Sequence, residues 1–206
     1  NQSNKVEKFE NVSLDYSSTD ISGLTGCLTF ANLVLRKIHV EALGSSCEDT
    51  VNFINVSGDI ENVVIKDSYS DGLDVDFSNI QINNINIINA GNDCADFSAG
   101  KYNLINLKLE NCGDKALSIG EKSYVQVKNI ITNKADIGVA SKDGSITILK
   151  NTFFRDLTTC VSAYNKKQEF DGGIIKIDNF ICSNFQNKIS ADSRSKIFEK
   201  GKNLIN

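Results

Sequence analysis

Mostly apolar residues recur along this chain as triplets in the spacing i, i+3 and i+5. Eight such triplets follow one another at steps of 21 to 29 residues. A period in this range is typical of stacked supersecondary units. The triplets are Phe9/Val12/Leu14, Leu35/Ile38/Val40, Ile60/Val63/Ile65, Ile82/Ile85/Ile87, Leu104/Leu107/Leu109, Val127/Ile130/Thr132, Ile148/Asn151/Phe153 and Ile177/Phe180/Cys182.

Each repeat carries a second pattern, in which two apolar residues flank one polar or small residue. Such alternation predicts a short β-strand with the apolar pair turned inward. Neither strand can bury its apolar face alone, so neighbouring repeats must supply the packing. We therefore predict an all-β parallel β-helix, a solenoid of about eight coils. The pairs are Leu28/Phe30, Val51/Phe53, Leu73/Val75, Ala95/Phe97, Leu117/Ile119, Ile137/Val139 and Val161/Ala163.

A further column immediately precedes the middle residue of each triplet, and six of its eight members are asparagine. Amide side chains at a repeated bend can hydrogen-bond to one another along the stack. The column resembles the asparagine ladders of the pectate-lyase-like superfamily of right-handed parallel β-helices. This resemblance implies a right-handed solenoid and gives the column a structural role. The column is Asn11, Lys37, Asn62, Asn84, Asn106, Asn129, Lys150 and Asn179.

Stacking the short strands in register brings carboxylates from distant parts of the chain together. Carboxylates one coil apart repel each other, so the stack needs a bound cation, a basic partner or shared protons. Three interpretations stay open: a solvated structural stripe, a calcium or other hard-cation site, and a catalytic carboxylate cluster. The predicted columns are Asp49, Asp71, Asp93 and Lys115, then Asn52, Asp74, Asp96 and Ser118, with Asp76 beside them.

Three segments resemble polygalacturonase motifs, in the order in which that β-helical glycosidase family carries N-T-D-G, G-D-D-C and G-H-G-L-S-I-G. The resemblance implies that Asp71 and Asp93 are among the catalytic aspartates. The chain departs from the family at Asn92, where the motif has aspartate, and at Asp114, where it has histidine. The segments are Ser70-Asp71-Gly72-Leu73-Asp74, Gly91-Asn92-Asp93-Cys94 and Gly113-Asp114-Lys115-Ala116-Leu117-Ser118-Ile119-Gly120.

An inverting glycosidase needs two carboxyl groups in different protonation states. We therefore predict acid, base or ion-ligand roles for Asp71, Asp74, Asp93 and Asp96, with Lys115 tuning their charge. A hard cation, calcium, is expected at Asp71 and Asp93. Lysines of a turn and of the long insertion that begins at Tyr164 are expected to bind an acidic sugar. The predicted substrate-binding residues are Asp76, Asp114, Ser118, Lys142, Lys166 and Lys167.

The charge and the cysteine positions limit which binding partners and which cellular compartment the sequence predicts. The 206 residues carry a net charge of −4 and no basic stripe, which argues against nucleic acid as a partner. No apolar stretch approaches the roughly 18 residues that span a bilayer. Cys27, Cys94 and Cys160 lie about three coils apart, too far to be bridged. We therefore predict mostly reduced cysteines and a reducing compartment, and an exposed His39 that binds no metal.

The chain is predicted to be one solenoid domain over residues 1–206, as a fragment or module of a larger protein. The segment Asn203–Asn206 is interpreted as the start of a further coil. An uncovered last coil exposes unpaired backbone groups. We therefore expect another domain or chain to cap one end of the solenoid.

The predicted function is engagement of a polysaccharide or glycoconjugate by the acidic side of the solenoid, with binding and processing both open. A catalytic site would be a carbohydrate-active hydrolase, lyase or epimerase. The alternative is a non-catalytic scaffold or protein-interaction module. The glycan class favours a cell-surface or secreted location. The repeat texture also resembles β-helical segments that accompany CotH-type kinase proteins.

Overall fold

The computed structural model describes residues 6–12 and 23–205. These residues form strands and turns, and no helix lies among them. None of the described elements is therefore a helix long and apolar enough to cross a membrane. The strands are β1 (Val6–Val12), β2 (Gly26–Ala31), β3 (Val34–Ser45), β4 (Asp49–Ile54), β5 (Ser57–Ser68), β6 (Asp71–Asp76), β7 (Asn79–Ala90), β8 (Ala95–Ser98), β9 (Lys101–Cys112), β10 (Lys115–Gly120), β11 (Tyr124–Lys142), β12 (Ile146–Tyr164), β13 (Ile174–Ala191), β14 (Lys196–Glu199) and β15 (Lys202–Asn203).

The strands wind into a parallel β-solenoid of about eight turns. A typical turn contributes one long and one short strand, and each strand pairs in parallel with its counterpart in the next turn. In β11, β12 and β13 the long and short segments run on without a break. The predicted all-β parallel solenoid is confirmed.

Inward-facing side chains of successive coils stack directly on one another and fill the interior. One column contains Ile60, Ile82, Leu104, Val127 and Leu149. Each of these side chains is at most 1% exposed. Burying such a side chain contributes roughly 2 kcal/mol, and every coil must supply a residue of similar size at the same place. This requirement is why the triplet period is visible in the sequence.

The register of β12 differs by one position from the prediction. Its inward residues are Leu149, Thr152 and Phe154, whereas Phe153 points outward and is 48% exposed. A shift of one residue turns every side chain of a strand to the opposite face. In β11 the inward pair of the short segment lies two residues later than predicted, at Val139/Ser141 instead of Ile137/Val139, a shift that keeps the same face inward.

A local irregularity also shifts the register of β3. Its pairing with β5 is interrupted between Arg36 and His39, and Lys37 has a φ of 50°. Ile38, Val40 and Ala42 therefore lie opposite the next triplet, Ile60, Val63 and Ile65. Leu35, the predicted first member, is buried in the core as expected but lies opposite Gly58.

The first predicted triplet is out of register with the second. In the pairing of β1 with β3, Phe9 lies opposite Ala42 rather than Leu35. Val6 lies opposite His39, at the place in the asparagine column that the prediction assigns to Asn11. Leu14, the third member of that triplet, lies outside the described residues.

The asparagine ladder is confirmed as a continuous chain of side-chain hydrogen bonds. Nδ2 of Asn84 donates to Oδ1 of Asn62 at 2.9 Å, and equivalent bonds of 2.9 to 3.1 Å continue to Asn179. Such bonds satisfy amide groups that the stack would otherwise leave unpaired. The described members are His39, Asn62, Asn84, Asn106, Asn129, Asn151 and Asn179.

Two members of the ladder differ from the prediction because of the register shifts. His39 and Asn151 take the places assigned to Lys37 and Lys150. Nδ1 of His39 lies 2.7 Å from Nδ2 of Asn62. The histidine is therefore a half-buried end of the ladder and not the exposed residue that was predicted.

A second polar column, absent from the sequence prediction, occupies the corner between the long and short segments. Nδ2 of Asn89 donates to Oδ1 of Asp67 at 2.7 Å, and Nδ2 of Asn111 donates to Oδ1 of Asn89 at 2.8 Å. Every member has a φ between 51° and 63°, a conformation that Asn and Asp tolerate better than most residues. The column is Asp67, Asn89, Asn111, Lys134, Asp156 and Asn184.

All six cysteines form disulfides, which corrects the prediction of reduced thiols. Each bond joins cysteines 18 to 22 residues apart, close to one full coil. The prediction considered only cysteines at equivalent positions about three coils apart. The actual partners are separated along the sequence by slightly less than one coil, so that comparison missed them. Disulfides are typical of oxidising compartments, so the basis for a reducing compartment is lost. The pairs are Cys27–Cys47, Cys94–Cys112 and Cys160–Cys182.

The C-terminal residues form a hairpin and not the start of another coil. β14 pairs in parallel with the beginning of β13, and β15 then returns antiparallel to β14. Leu204 and Ile205 pack against the core cluster. A further domain or chain that caps the solenoid stays a prediction.

Candidate functional site

The outward side of the short strands carries the predicted carboxylates, and we call it the acidic face. Asp49 lies opposite Asp71, and Asp74 lies opposite Asp96. The predicted stacking of these acids on one side of the solenoid is confirmed. The acidic face comprises a first column of Asp49, Asp71, Asp93 and Lys115, a second of Asn52, Asp74, Asp96 and Ser118, and a third of Asp76, Ser98, Gly120 and Lys142.

The third column was predicted only in part. Ser98 lies between Asp76 on one side and Gly120 on the other. Lys142 belongs to the next coil and lies opposite Tyr164 in the coil after that. Successive members are 22 residues apart, so extending the first two columns by two residues would have found the third.

The first column ties neighbouring coils together through backbone hydrogen bonds. Oδ1 of Asp71 accepts the backbone N–H of Asp93 at 2.9 Å and Nδ2–H of Asn92 at 2.7 Å. Oδ1 of Asp93 accepts the backbone N–H of Lys115 at 2.9 Å. Burial raises the pKa of Asp93 to about 6, against the opposing charge of Lys115. Burial also raises the pKa of Asp71. Each of these two carboxyl groups therefore links its own coil to the next one.

Asp74 in the second column holds a proton at neutral pH. Burial, followed by the negative charges of Asp76 and Asp49, raises the pKa of Asp74 to about 9. Nδ2 of Asn52 donates to Oδ2 of Asp74 at 2.7 Å. Burial also raises the pKa of Asp76, whereas the hydrogen bond from Asp74 lowers it. The two neighbouring acids therefore titrate as a pair.

Lys142 extends along the third column towards an earlier coil. Its Nζ lies 3.4 Å from Oδ2 of Asp96, which is 46 residues away in the sequence. The side chain passes over Gly120, where a Cβ atom would lie 3.1 Å from Cε of Lys142. The glycine leaves room for the lysine stem, so an ammonium group from two coils away balances a carboxylate of the face.

Lys115, which was predicted to tune the charge of the acids, is bound on two sides. Its Nζ pairs with Asp114 and lies 3.4 Å from Oδ1 of Asp93. Burial alone would lower the pKa of Lys115, but the hydrogen bond to Asp114 and the charge of Asp93 raise it above its ordinary value. Lys115 therefore carries its positive charge at neutral pH.

The long insertion after β12 folds back along the edge of the acidic face. The backbone N–H groups of Lys166 and Lys167 donate to Oδ1 of Asp143 at 2.7 and 2.8 Å. Nζ of Lys167 pairs with Glu121, two coils earlier. The insertion thus brings Lys166 and Lys167 to the corner beside the third column, with Lys167 already paired.

Three buried polar atoms of the second column have no hydrogen-bond partner among the described residues. They are Oδ1 of Asn52, Oδ1 of Asp96 and Oγ of Ser118. The side chains of Asn52 and Ser118 have no exposed surface. A buried polar atom without a partner costs about 1–3 kcal/mol, and such atoms in a native structure call for an explanation.

The acids do not form a recognisable metal site. Within residues 23–205, no group of three or more His, Cys, Asp or Glu side chains is arranged to hold a metal ion. Oδ1 of Asp71 and of Asp93 is occupied by backbone N–H groups. Calcium binding stays a prediction, which melting curves with calcium and with a chelator would test.

The protein is expected to become less stable as the pH rises from 5 to 9. Burial is the main reason that the pKa values of Asp93, Asp49 and Asp74 lie at about 6, 7 and 9, against an ordinary 3.8. The folded protein therefore retains protons that the unfolded chain has released, and this stabilisation is lost as the pH passes each folded-state value. We expect the melting temperature at pH 9 to lie roughly 5 °C or more below that at pH 5.

The substitution Asp74→Asn places a neutral amide where the protonated carboxyl stands. This variant should melt above the wild type at pH 9 and depend less on pH between 7 and 9. Asp178→Asn is the matched control, because Asp178 is exposed on the long-strand side. Melting curves by circular dichroism give the comparison. A wild-type melting temperature that is constant or rises from pH 5 to 9 contradicts the assignment of protons.

The chain matches no family model, no curated protein and no solved structure. The likeness to polygalacturonases therefore consists of the three short segments in the sequence. What the acidic face does has to be inferred from its own geometry.

Proposed function

We propose that the acidic face binds a polysaccharide or glycoconjugate that lies across successive coils. One observation carries the proposal: half-exposed carboxyl groups of Asp74, Asp76 and Asp96 lie on successive coils of one face. Carboxyl oxygens accept hydrogen bonds from the hydroxyl groups of a bound sugar. Acceptors at equivalent places on successive coils suit a ligand that is itself a repeating chain.

The dimensions of the face agree with this class of ligand. Four coils carry its columns, and three steps of about 4.8 Å give a length of about 15 Å. Half-exposed carboxyl groups of Asp71, Asp74, Asp76 and Asp96 lie along it. Asp93 is only 3% exposed and Ser118 is fully buried. We assign the exposed acids to ligand contact and the buried residues to positioning them.

Glycoside hydrolysis is a second candidate, and the protonation of Asp74 favours it. A pKa of about 9 keeps this carboxyl group protonated at neutral pH, as a general acid requires. Asp96 lies opposite it and is ion-paired with Lys142. Two neighbouring carboxyl groups in different protonation states can serve as acid and base on a glycosidic bond. In this assignment Asp74 is the acid and Asp96 the base.

The assignment differs from that implied by the polygalacturonase resemblance. The resemblance points to Asp71 and Asp93, whose Oδ1 atoms accept backbone N–H groups of the next coil. We propose that these two acids position the neighbouring column, and that Lys115 fixes Asp93. The three disulfides favour an oxidising compartment, which agrees with a cell-surface or secreted protein that meets polysaccharides.

The test combines binding with turnover. Affinity electrophoresis in gels containing polygalacturonate or a neutral β-glucan measures binding, and reducing-sugar release measures hydrolysis. Wild-type protein should be retarded by at least one polymer. Asp74→Asn and Asp96→Asn should each lower any hydrolysis by about a hundredfold or more, whereas Asp178→Asn should leave it unchanged.

The outcomes separate the two candidate functions from the alternative. Retardation without sugar release supports a binding module and rejects the hydrolase. Sugar release that survives both substitutions contradicts the roles of Asp74 and Asp96. No retardation by any polymer rejects the polysaccharide proposal and favours a scaffold or protein-interaction module.

A further inference from the structure

A notch crosses the corner that follows the third column of the acidic face. Ala99 and Gly100 form its floor, Phe77 stands on the coil before, and Lys122 stands on the coil after. Its walls are two coil steps apart, which gives a width of about 10 Å. The notch belongs to a cavity of about 470 Å³ that Tyr124 also lines.

Phe77 is an unusual residue for its position. Its φ is 51°, and its side chain is 61% exposed. A bulky residue in the left-handed region is uncommon, and the corresponding corners of other coils carry Asn55, Ala99 and Glu121. An exposed ring contributes little to the core. The corner conformation recurs in neighbouring coils, so the exposed ring, and not the backbone, is the feature that points to a ligand.

Hydrogen bonds of the buried Tyr102 hydroxyl group support the floor of the notch. The hydroxyl group of Tyr102 donates to the carbonyl oxygen of Ser98 at 2.6 Å and accepts the backbone N–H of Ser78 at 3.4 Å. A Cβ atom at Gly100 would collide with this hydroxyl group. Because residue 100 is glycine, the tyrosine hydroxyl group has room to link the backbone of Ser78 to that of Ser98 beneath the notch.

Two lysines line the notch, together with Glu121, whose carboxylate is paired with Lys167. Lys101 and Lys122 are exposed, and neither forms an ion pair in the described part of the chain. Nζ of Lys122 lies 5.4 Å from the ring centre of Phe170. Of the lysines first expected to bind an acidic sugar, Lys142 and Lys167 are each paired with a carboxylate.

We propose that this notch binds a uronate residue of a polysaccharide whose chain continues onto the acidic face; this inference rests on the proposed function. Phe77 and Tyr124 offer flat apolar surfaces to the C–H side of a pyranose ring. Lys101 and Lys122 supply charge-assisted hydrogen bonds to its carboxylate. Phe77 directly follows Asp76 of the third column, so the notch and the acidic face form one continuous surface.

The test is calorimetric titration with a galacturonate hexasaccharide. Phe77→Ala should weaken binding roughly tenfold, as expected for one stacked ring. The double variant Lys101→Ala/Lys122→Ala should also weaken it roughly tenfold and reduce its dependence on salt. A methyl-esterified hexasaccharide should bind the wild type as weakly as the acid form binds the double variant. Tyr69→Ala and Lys66→Ala, at an exposed ring and an exposed lysine elsewhere, should bind like the wild type.

Ala99→Phe fills the notch and completes the test. Ala99 and Phe77 have φ values of 52° and 51° on adjacent coils, so the fold accepts either residue at this corner. The variant should remain folded, as circular dichroism would show, and lose hexasaccharide binding. If the wild type and the notch variants bind the hexasaccharide equally well, the proposal for the notch is wrong and the proposal for the acidic face stands. If the wild type binds no polysaccharide, both proposals are rejected.

Discussion

Replacing Phe97 with alanine is expected to lower the free energy of unfolding by about 4 kcal/mol. Phe97 has no exposed surface and stacks between Val75 and Ile119 of the neighbouring coils. Its ring also meets that of Tyr102 edge-on, with ring centres 4.9 Å apart. Removing the ring leaves a cavity that a ladder of backbone hydrogen bonds on both sides prevents from closing. Urea unfolding followed by circular dichroism measures the change.

Phe77→Ala is the matched control for this prediction. Phe77 lies one coil from Phe97 but is 61% exposed, so its loss should change the free energy of unfolding by about 0.5 kcal/mol or less. A change below about 1 kcal/mol for Phe97→Ala, or equal effects of the two substitutions, would show that the short strands do not enclose a packed core.

Replacing Cys94 and Cys112 together with alanine is expected to cost about 3 kcal/mol. The bond closes a loop with a sequence separation of 18 residues across the corner that leads into the acidic face. Both positions are buried, so alanine introduces no unpaired polar group. Urea unfolding of the variant and the wild type without reductant gives the difference. A smaller loss of hydrolysis or binding than of stability is expected, because Cys94 bonds to Lys115 of the first column through its backbone, which alanine retains.

Thiol labelling provides the independent check on this bond. Wild-type protein denatured without reductant should take up no alkylating reagent, since all six cysteines are paired. The double variant should behave in the same way, because its remaining cysteines keep their own partners. Labelling of all six thiols in the wild type would contradict the disulfides and restore the reduced state expected from sequence.

The solenoid was predictable because every coil meets nearly the same surroundings. Ile60, Ile82 and Leu104 each pack between two similar side chains, so the chain repeats its inward residues at the coil period. The amide ladder repeats for the same reason. Each Asn can satisfy its neighbour only when the next coil also provides an amide at that point.

The register of single coils was harder to predict. Ile148 and Leu149 are both apolar, and the spacing rule accepts either as the first inward residue of β12. The ladder resolves the choice, because Asn151 follows Asn129 in it while Lys150 would break it. In β3 the bulge at Lys37 cannot be seen from apolar spacing, since it depends on the backbone conformation.

The columns of the acidic face followed from the period, but their chemistry did not. The protonation of Asp74 depends on how deeply it is buried and on which charges surround it. The pairing of Lys142 with Asp96 depends on a glycine between them that leaves space for the lysine stem. Phe77 and Lys122 come together only because the intervening coil is small at Ala99. Each of these features depends on how side chains of different coils pack in three dimensions, which the repeat period does not specify.

Amide chemical-shift mapping of the isotope-labelled protein with a galacturonate hexasaccharide tests the central claim most directly. We expect shifts concentrated in residues 71–77, 93–101 and 115–124, the segments that form the acidic face and the notch. Asp178, on the long-strand side, should stay unperturbed. Shifts that fall on the long-strand side, or none at saturating hexasaccharide, would contradict a polysaccharide site on stacked short strands.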